Sequence, residues 1–177
     1  MAAFTIINHT ALTGPATSWD VTSIPSSYDH LFVRWSARSD HGHAYVNDNI
    51  ECKLNGDTGS NYSVTRLVAS SNPPFSYRST GSIWNNWGQN PDAMTQADTY
   101  GIGSMWIPYY ANTANYKQGL SNSSLENNSA TNDLWRMALA AGLWTSTAAV
   151  NQITFTTQNA ADFIAYSTFT LYGVTGV

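Results

Sequence analysis

Ile153-Thr-Phe-Thr-Thr157 and, after a polar turn, Phe163-Ile-Ala-Tyr-Ser-Thr-Phe-Thr-Leu-Tyr172 decide the fold class. In the first segment Ile153 and Phe155 point one way and Thr154 and Thr156 the other, the period of two that marks a half-buried strand. In the second, Phe163, Ala165, Ser167, Phe169 and Leu171 share one face, and Ile164, Tyr166, Thr168, Thr170 and Tyr172 share the other. Bulk on both faces predicts a strand between two layers, hence a sandwich, with the two segments forming a closing hairpin.

Outward from this pair, the same alternation recurs between short clusters of Gly, Pro, Asn, Asp and Ser, the punctuation of an antiparallel all-β chain. It predicts strands over 3–8, 16–22, 30–38, 49–55, 61–69, 98–107, 115–122, 135–142, 150–157 and 163–173. In 31–38, Leu31, Val33, Trp35 and Ala37 make one face; Arg34 and Arg38, on the other, turn to solvent or to a partner. Asn55-Gly56 suits positive φ at a turn between two strands. Residues 133–142 stay open between strand and helix: Ala, Leu and Met favour a helix that Asn132 or Asp133 would cap, while the strand-length alternation of large and small residues favours a strand. The expected fold is all-β, an antiparallel jelly-roll-like sandwich of about eight to ten strands, with residues 1–177 as a single domain.

A chain of 177 residues buries about 70% of its unfolded surface and needs no disulfide or metal to fold. Charged residues make up only 10% of it, while Trp, Tyr and Phe number seven, ten and six. Seven basic against eleven acidic side chains form no stripe to track phosphates, which argues against nucleic acid. No run approaches the roughly 20 apolar residues of a membrane helix. The N-terminus lacks the cationic start and apolar core of a secretion signal, so the four Asn-x-Ser/Thr triplets read as chance. Cys52, alternating with Ile50 and Leu54, reads as a buried thiol.

Chemistry is hard to find. Asp40-His-Gly-His43, with Asp48 and Glu51 nearby, has no recognised metal-ligand spacing and reads as the polar tip of a hairpin. No Gly-x-Ser-x-Gly elbow, phosphate loop or dinucleotide fingerprint occurs, and no pair of acids stands out as glycosidase carboxylates. The expectation is no catalytic residue, no cofactor and no metal. Residues 70–94, rich in Pro, Asn and aromatics, read as a long loop carrying one strand at most. Loops of that length in compact domains are usually functional. Phe75, Tyr77, Arg78, Trp84 and Trp87 there, with Arg34 and Arg38, are the candidate partner contacts. For Trp84 and Trp87 a subunit contact, a satellite cluster and a sugar platform are all open, with subunit contact favoured.

Ile24-Pro-Ser-Ser-Tyr28, Ser36-Ala-Arg-Ser-Asp40, Leu54-Asn-Gly-Asp-Thr-Gly-Ser-Asn-Tyr62, Ile107-Pro-Tyr-Tyr-Ala111, Gly142-Leu-Trp144 and Ser167-Thr-Phe-Thr-Leu-Tyr-Gly173, in that order, resemble a family of small β-sandwich virion proteins of tailed bacteriophages. The resemblance covers about residues 4–174. It implies a non-enzymatic structural protein, made in the host bacterial cytoplasm and carried on the capsid exterior as a cement protein. Its partners would be the major capsid protein and further copies of itself, as a homotrimer. The family also serves in tails, so a tail-fibre or tail-tip module that recognises host glycan is the alternative. No coiled-coil shaft or repetitive β region is present, which favours the capsid.

Overall fold

The computed structural model describes residues 3–42, 47–70, 73–128 and 135–176. Twelve strands run in order as β1 (Ala3–Ala11), β2 (Ser18–Val21), β3 (His30–Ala37), β4 (Asn47–Leu54), β5 (Tyr62–Ala69), β6 (Phe75–Gly81), β7 (Trp84–Pro91), β8 (Gly101–Pro108), β9 (Lys117–Leu125), β10 (Arg136–Trp144), β11 (Ile153–Thr157) and β12 (Thr168–Thr175). They form an eight-stranded sheet, β1-β12-β3-β8-β9-β10-β5-β6, and a four-stranded sheet, β2-β11-β4-β7. Every strand pairing is antiparallel. One apolar cluster joins the sheets, including Leu31, Val33 and Trp35 of β3, Ile50, Cys52 and Leu54 of β4, and Phe155 and Phe169 of the closing strands. The all-β sandwich is thus as expected, and Cys52 is buried. A jelly-roll connectivity is not established by this order, which includes a β8-β9-β10 meander and unequal sheets.

Three expectations are corrected. The closing segments are not a hairpin: β11 pairs with β2 and β4, and β12 with β1 and β3, in the other sheet. Phe163 lies outside β12 and makes isolated bridges to Ala16 and Ser39. Nor does β12 lie between two layers, for Phe169 and Leu171 face the core while Thr168, Thr170 and Tyr172 line an open concavity on the far side. Finally, residues 75–81 and 84–91 of the expected loop are β6 and β7, which raises the strand count from about ten to twelve.

The β7 strand escapes a period-two reading because it is irregular. Gly88 pairs with Ile50 but Trp84 pairs with Cys52, so four residues on β7 span two on β4, and Asn86 takes φ 52° at the irregularity. That extra length turns both Trp84 and Trp87 inward although they are three apart. They stack at 4.4 Å and 19° in a slot floored by Gly119 and Gly142, directly opposed across β9 and β10. Residues 136–144 are strand, which resolves the described part of that ambiguity; Asp133 and Leu134, and His43 of the Asp40–His43 segment, lie outside the described residues.

Asn55 and Gly56 adopt φ 52° and 62° as their sequence suggests, but the turn carries the chain from one sheet to the other. Tyr62 holds that corner: its hydroxyl donates to the Leu54 carbonyl at 3.0 Å and accepts from the Leu54 amide at 3.1 Å.

Candidate docking face

Strand alternation gives the eight-stranded sheet an inner face against the core and an outer face that no other described strand covers. The cross-strand register assembles the outer face in rows. One row runs Ile6, Tyr172, Phe32, Trp106, Leu120, Ala141 and Thr65; the next runs His9, Thr170, Arg34, Ser104, Asn122, Leu139 and Leu67; a third runs Thr168, Ser36, Ile102, Ser124, Met137 and Ala69. The twist hollows the centre into a concavity of about 910 Å³ lined by Phe32, Arg34, Leu67, Ile102, Asn122, Met137, Leu139, Tyr172 and their neighbours.

This face is apolar to a degree unusual for a surface. Ile102, Leu120 and Met137 are 59%, 50% and 65% exposed, and Ile6, Leu67 and Leu139 are similarly open. Scattered exposed apolar residues are normal, but a contiguous set across neighbouring strands marks an interaction surface. Its cause lies inside the sheet: β10 turns Ala138, Ala140 and Gly142 inward because the Trp84–Trp87 stack fills the space there, so Met137 and Leu139 point out.

Polar groups cross the middle of the face. Ser104 Oγ donates to Asn122 Oδ1 at 2.9 Å, and the His9 ring and the Thr170 hydroxyl share a bond of 2.8 Å. Arg34, between Thr170 and Ser104, is the one charged residue lining the concavity, and it has no ion-pair partner among the described residues.

The other candidate contacts scatter. Arg38 is not at the surface: its guanidinium is buried and donates to the carbonyls of Thr95 (2.9 Å), Gln96 (2.7 Å) and Thr99 (3.0 Å), holding that loop in place. Trp84 and Trp87, at 0% and 1% exposure, are core residues, which removes them as surface contacts. Phe75 and Arg78 are exposed on the edge strand β6. Tyr77 is half-buried; its hydroxyl accepts from Asn86 Nδ2 and from Arg66 Nη1, the latter at 3.3 Å, and the Arg66 guanidinium lies 5.4 Å over its ring. Only Arg34 belongs to the concave face. The residues missed were Ile102, Leu120, Leu139 and Met137; their signal was bulk on the polar-phase side of β8, β9 and β10.

Among the described residues, no group of three or more His, Cys, Asp or Glu side chains is placed to hold a metal. The chain matches no family model, and no curated protein matches it. The fold and the face define a class, an all-β sandwich with one open apolar sheet face.

Proposed function

We propose that the protein is a non-enzymatic virion component of a tailed bacteriophage, a capsid cement protein that lays the outer face of its eight-stranded sheet against the assembled major capsid protein. The observation that carries this reading is the exposed apolar set of Ile102, Leu120, Met137 and Leu139, spread over three neighbouring rows of the face around Arg34, which has no ion-pair partner among the described residues. An apolar face with little charge suits a partner that desolvates it, and Arg34 supplies orientation by meeting a carboxylate on the shell. Binding the assembled shell and not its free subunits lowers the free energy of the shell by mass action, which is the physical meaning of cementing. The family resemblance supplies the virion context, the capsid exterior and the homotrimer, for which the β1 and β6 edges are available.

One observation favours a second reading. Tyr172 and Phe32 stand beside Arg34, Asn122, Ser104 and Thr170 in the concavity, a mixture of aromatic and hydrogen-bonding groups that also suits a host glycan at a tail tip. The two readings separate in one experiment. Purified protein should sediment with expanded empty capsids and not with unassembled capsid protein, and Met137→Glu should abolish this. Binding to host lipopolysaccharide with no capsid binding would sink the cement reading and support the tail one.

A further inference from the structure

Among the described residues the two sheets end in four edge strands, β1 and β6 in one and β2 and β7 in the other. Short strands, irregularities, prolines and charges are the usual means of blunting an edge against pairing with another chain, and three of these four carry them. The β2 edge is four residues long and bears Asp20. The β7 edge is irregular against β4 and ends in Pro91, which has no amide hydrogen to donate. The β6 edge has the exposed Arg78 as the fourth of its seven residues. The β1 edge is different: its nine residues, Ala3-Phe-Thr-Ile-Ile-Asn-His-Thr-Ala11, include no Asp, Glu, Lys, Arg or Pro. Its register shift against β12 falls between Ile6 and Asn8, so residues 3–6 form a regular ladder with residues 172–175.

That ladder is open on both faces. All of residues 3–6 are exposed, Phe4 and Ile6 to 57% and 60%, where a sandwich strand ordinarily buries alternate side chains. Phe4 is nevertheless held in place, its ring edge-on to Phe32 at 5.7 Å and to Tyr172 at 6.0 Å. A second copy of the segment, run antiparallel about a two-fold axis at Thr5, sets Phe4 of each copy opposite Ile6 of the other and Thr5 opposite Thr5. Aromatic against β-branched and threonine against threonine are favourable cross-strand pairs. Joining β1 to β6 would instead set Phe4 and Ile6 against Ser76, Arg78 and Thr80, the β6 residues on the same outer face. A two-fold contact also closes on itself, which a β1-to-β6 contact does only if its rotation happens to form a ring. We propose that two copies of the chain join edge to edge through β1, antiparallel about Thr5, so that their eight-stranded sheets become one continuous sheet with both outer faces on the same side. The junction links one copy to one other, whatever contacts the homotrimer makes elsewhere, and it does not rest on the cement reading.

Disulfide trapping of the full-length protein tests it. Directly opposed residues hold their Cα atoms about 4.5–5.5 Å apart, within reach of a disulfide. Thr5→Cys, oxidised with copper phenanthroline, should therefore run as a covalent dimer on a non-reducing gel, while the parent, whose Cys52 is buried, should not. Thr80→Cys, exposed on the β6 edge, should stay monomeric both alone and mixed with Thr5→Cys. Adding Ile6→Lys to Thr5→Cys should slow the cross-link by about fivefold or more, because it removes the branched partner of each Phe4 and puts a charge on the edge. Thr5→Cys that stays monomeric overturns the proposal, as does a cross-link between Thr5→Cys and Thr80→Cys or an undiminished rate with Ile6→Lys. The first two comparisons decide whether or not the lysine variant folds.

Discussion

At the scale of single residues, this sandwich is organised by glycines facing tryptophans. A Cβ on Gly142 would sit 2.6 Å from Trp84 Nε1 and 2.7 Å from Trp87 Cζ3, contacts that no real Cβ makes. Gly142→Ala should therefore cost about 1–3 kcal/mol through overpacking, read as a lower urea midpoint. Gly14→Ala, where nothing lies within 4 Å of the added atom, should stay within about 0.5 kcal/mol. Glu51 offers a prediction in pH. Burial first, then the charge of Asp48, raises its carboxyl from 4.5 to about 7, against an opposing pull from Lys53. Between those values the folded protein binds more protons than the unfolded chain, so stability falls as pH rises through that window. Glu51→Gln should flatten this loss and stabilise the protein at pH 8 relative to the parent, measured by urea unfolding at pH 5 and 8. Asp57 goes the other way: burial raises it, but bonds from Trp144 Nε1 at 2.7 Å, from Asn61 and from the Gly59 amide prevail and lower it. Its stabilisation is present above the usual aspartate range and is lost as pH falls through the lowered value.

At the scale of elements, regular strands were legible and irregular ones were not. Ile50, Cys52 and Leu54 announce β4 by strict alternation, as Leu31, Val33 and Trp35 announce β3. The β7 strand, Trp84-Asn-Asn-Trp-Gly-Gln-Asn-Pro91, hides because its irregularity breaks the period and because Gln89 and Asn90 are polar yet fully buried. Bulk on both faces of the closing strand was a real signal with the wrong cause: Tyr172 faces an open concavity, not a second layer. The docking face was likewise half written in the sequence, since Met137 and Leu139 alternate with Ala138 and Ala140; which side is inward depends on where Trp84 and Trp87 lie. Changes confined to that outer face should separate docking from folding. Leu139→Glu and Met137→Glu should alter stability by no more than about 0.5 kcal/mol, measured by urea unfolding, yet lower shell affinity by more than tenfold. Arg34→Ala should weaken binding and its salt dependence together, and Arg34→Lys should restore the salt dependence first.

At the scale of the whole molecule, the two faces of the eight-stranded sheet divide the work. The inner face is closed by the four-stranded sheet and its aromatic packing, including the Trp19–Phe169 stack at 5.3 Å. The outer face is covered by no other described strand. A concave apolar surface on a rigid sheet costs little conformational entropy when it docks, as the proposed cementing role requires. A cryo-EM map of the virion tests this most directly. It should show the sandwich on the capsid exterior, in numbers matched to the shell lattice, with Ile102, Leu120, Met137 and Leu139 against the major capsid protein. A few copies confined to the tail, or a capsid-bound copy with that face turned to solvent, would contradict it.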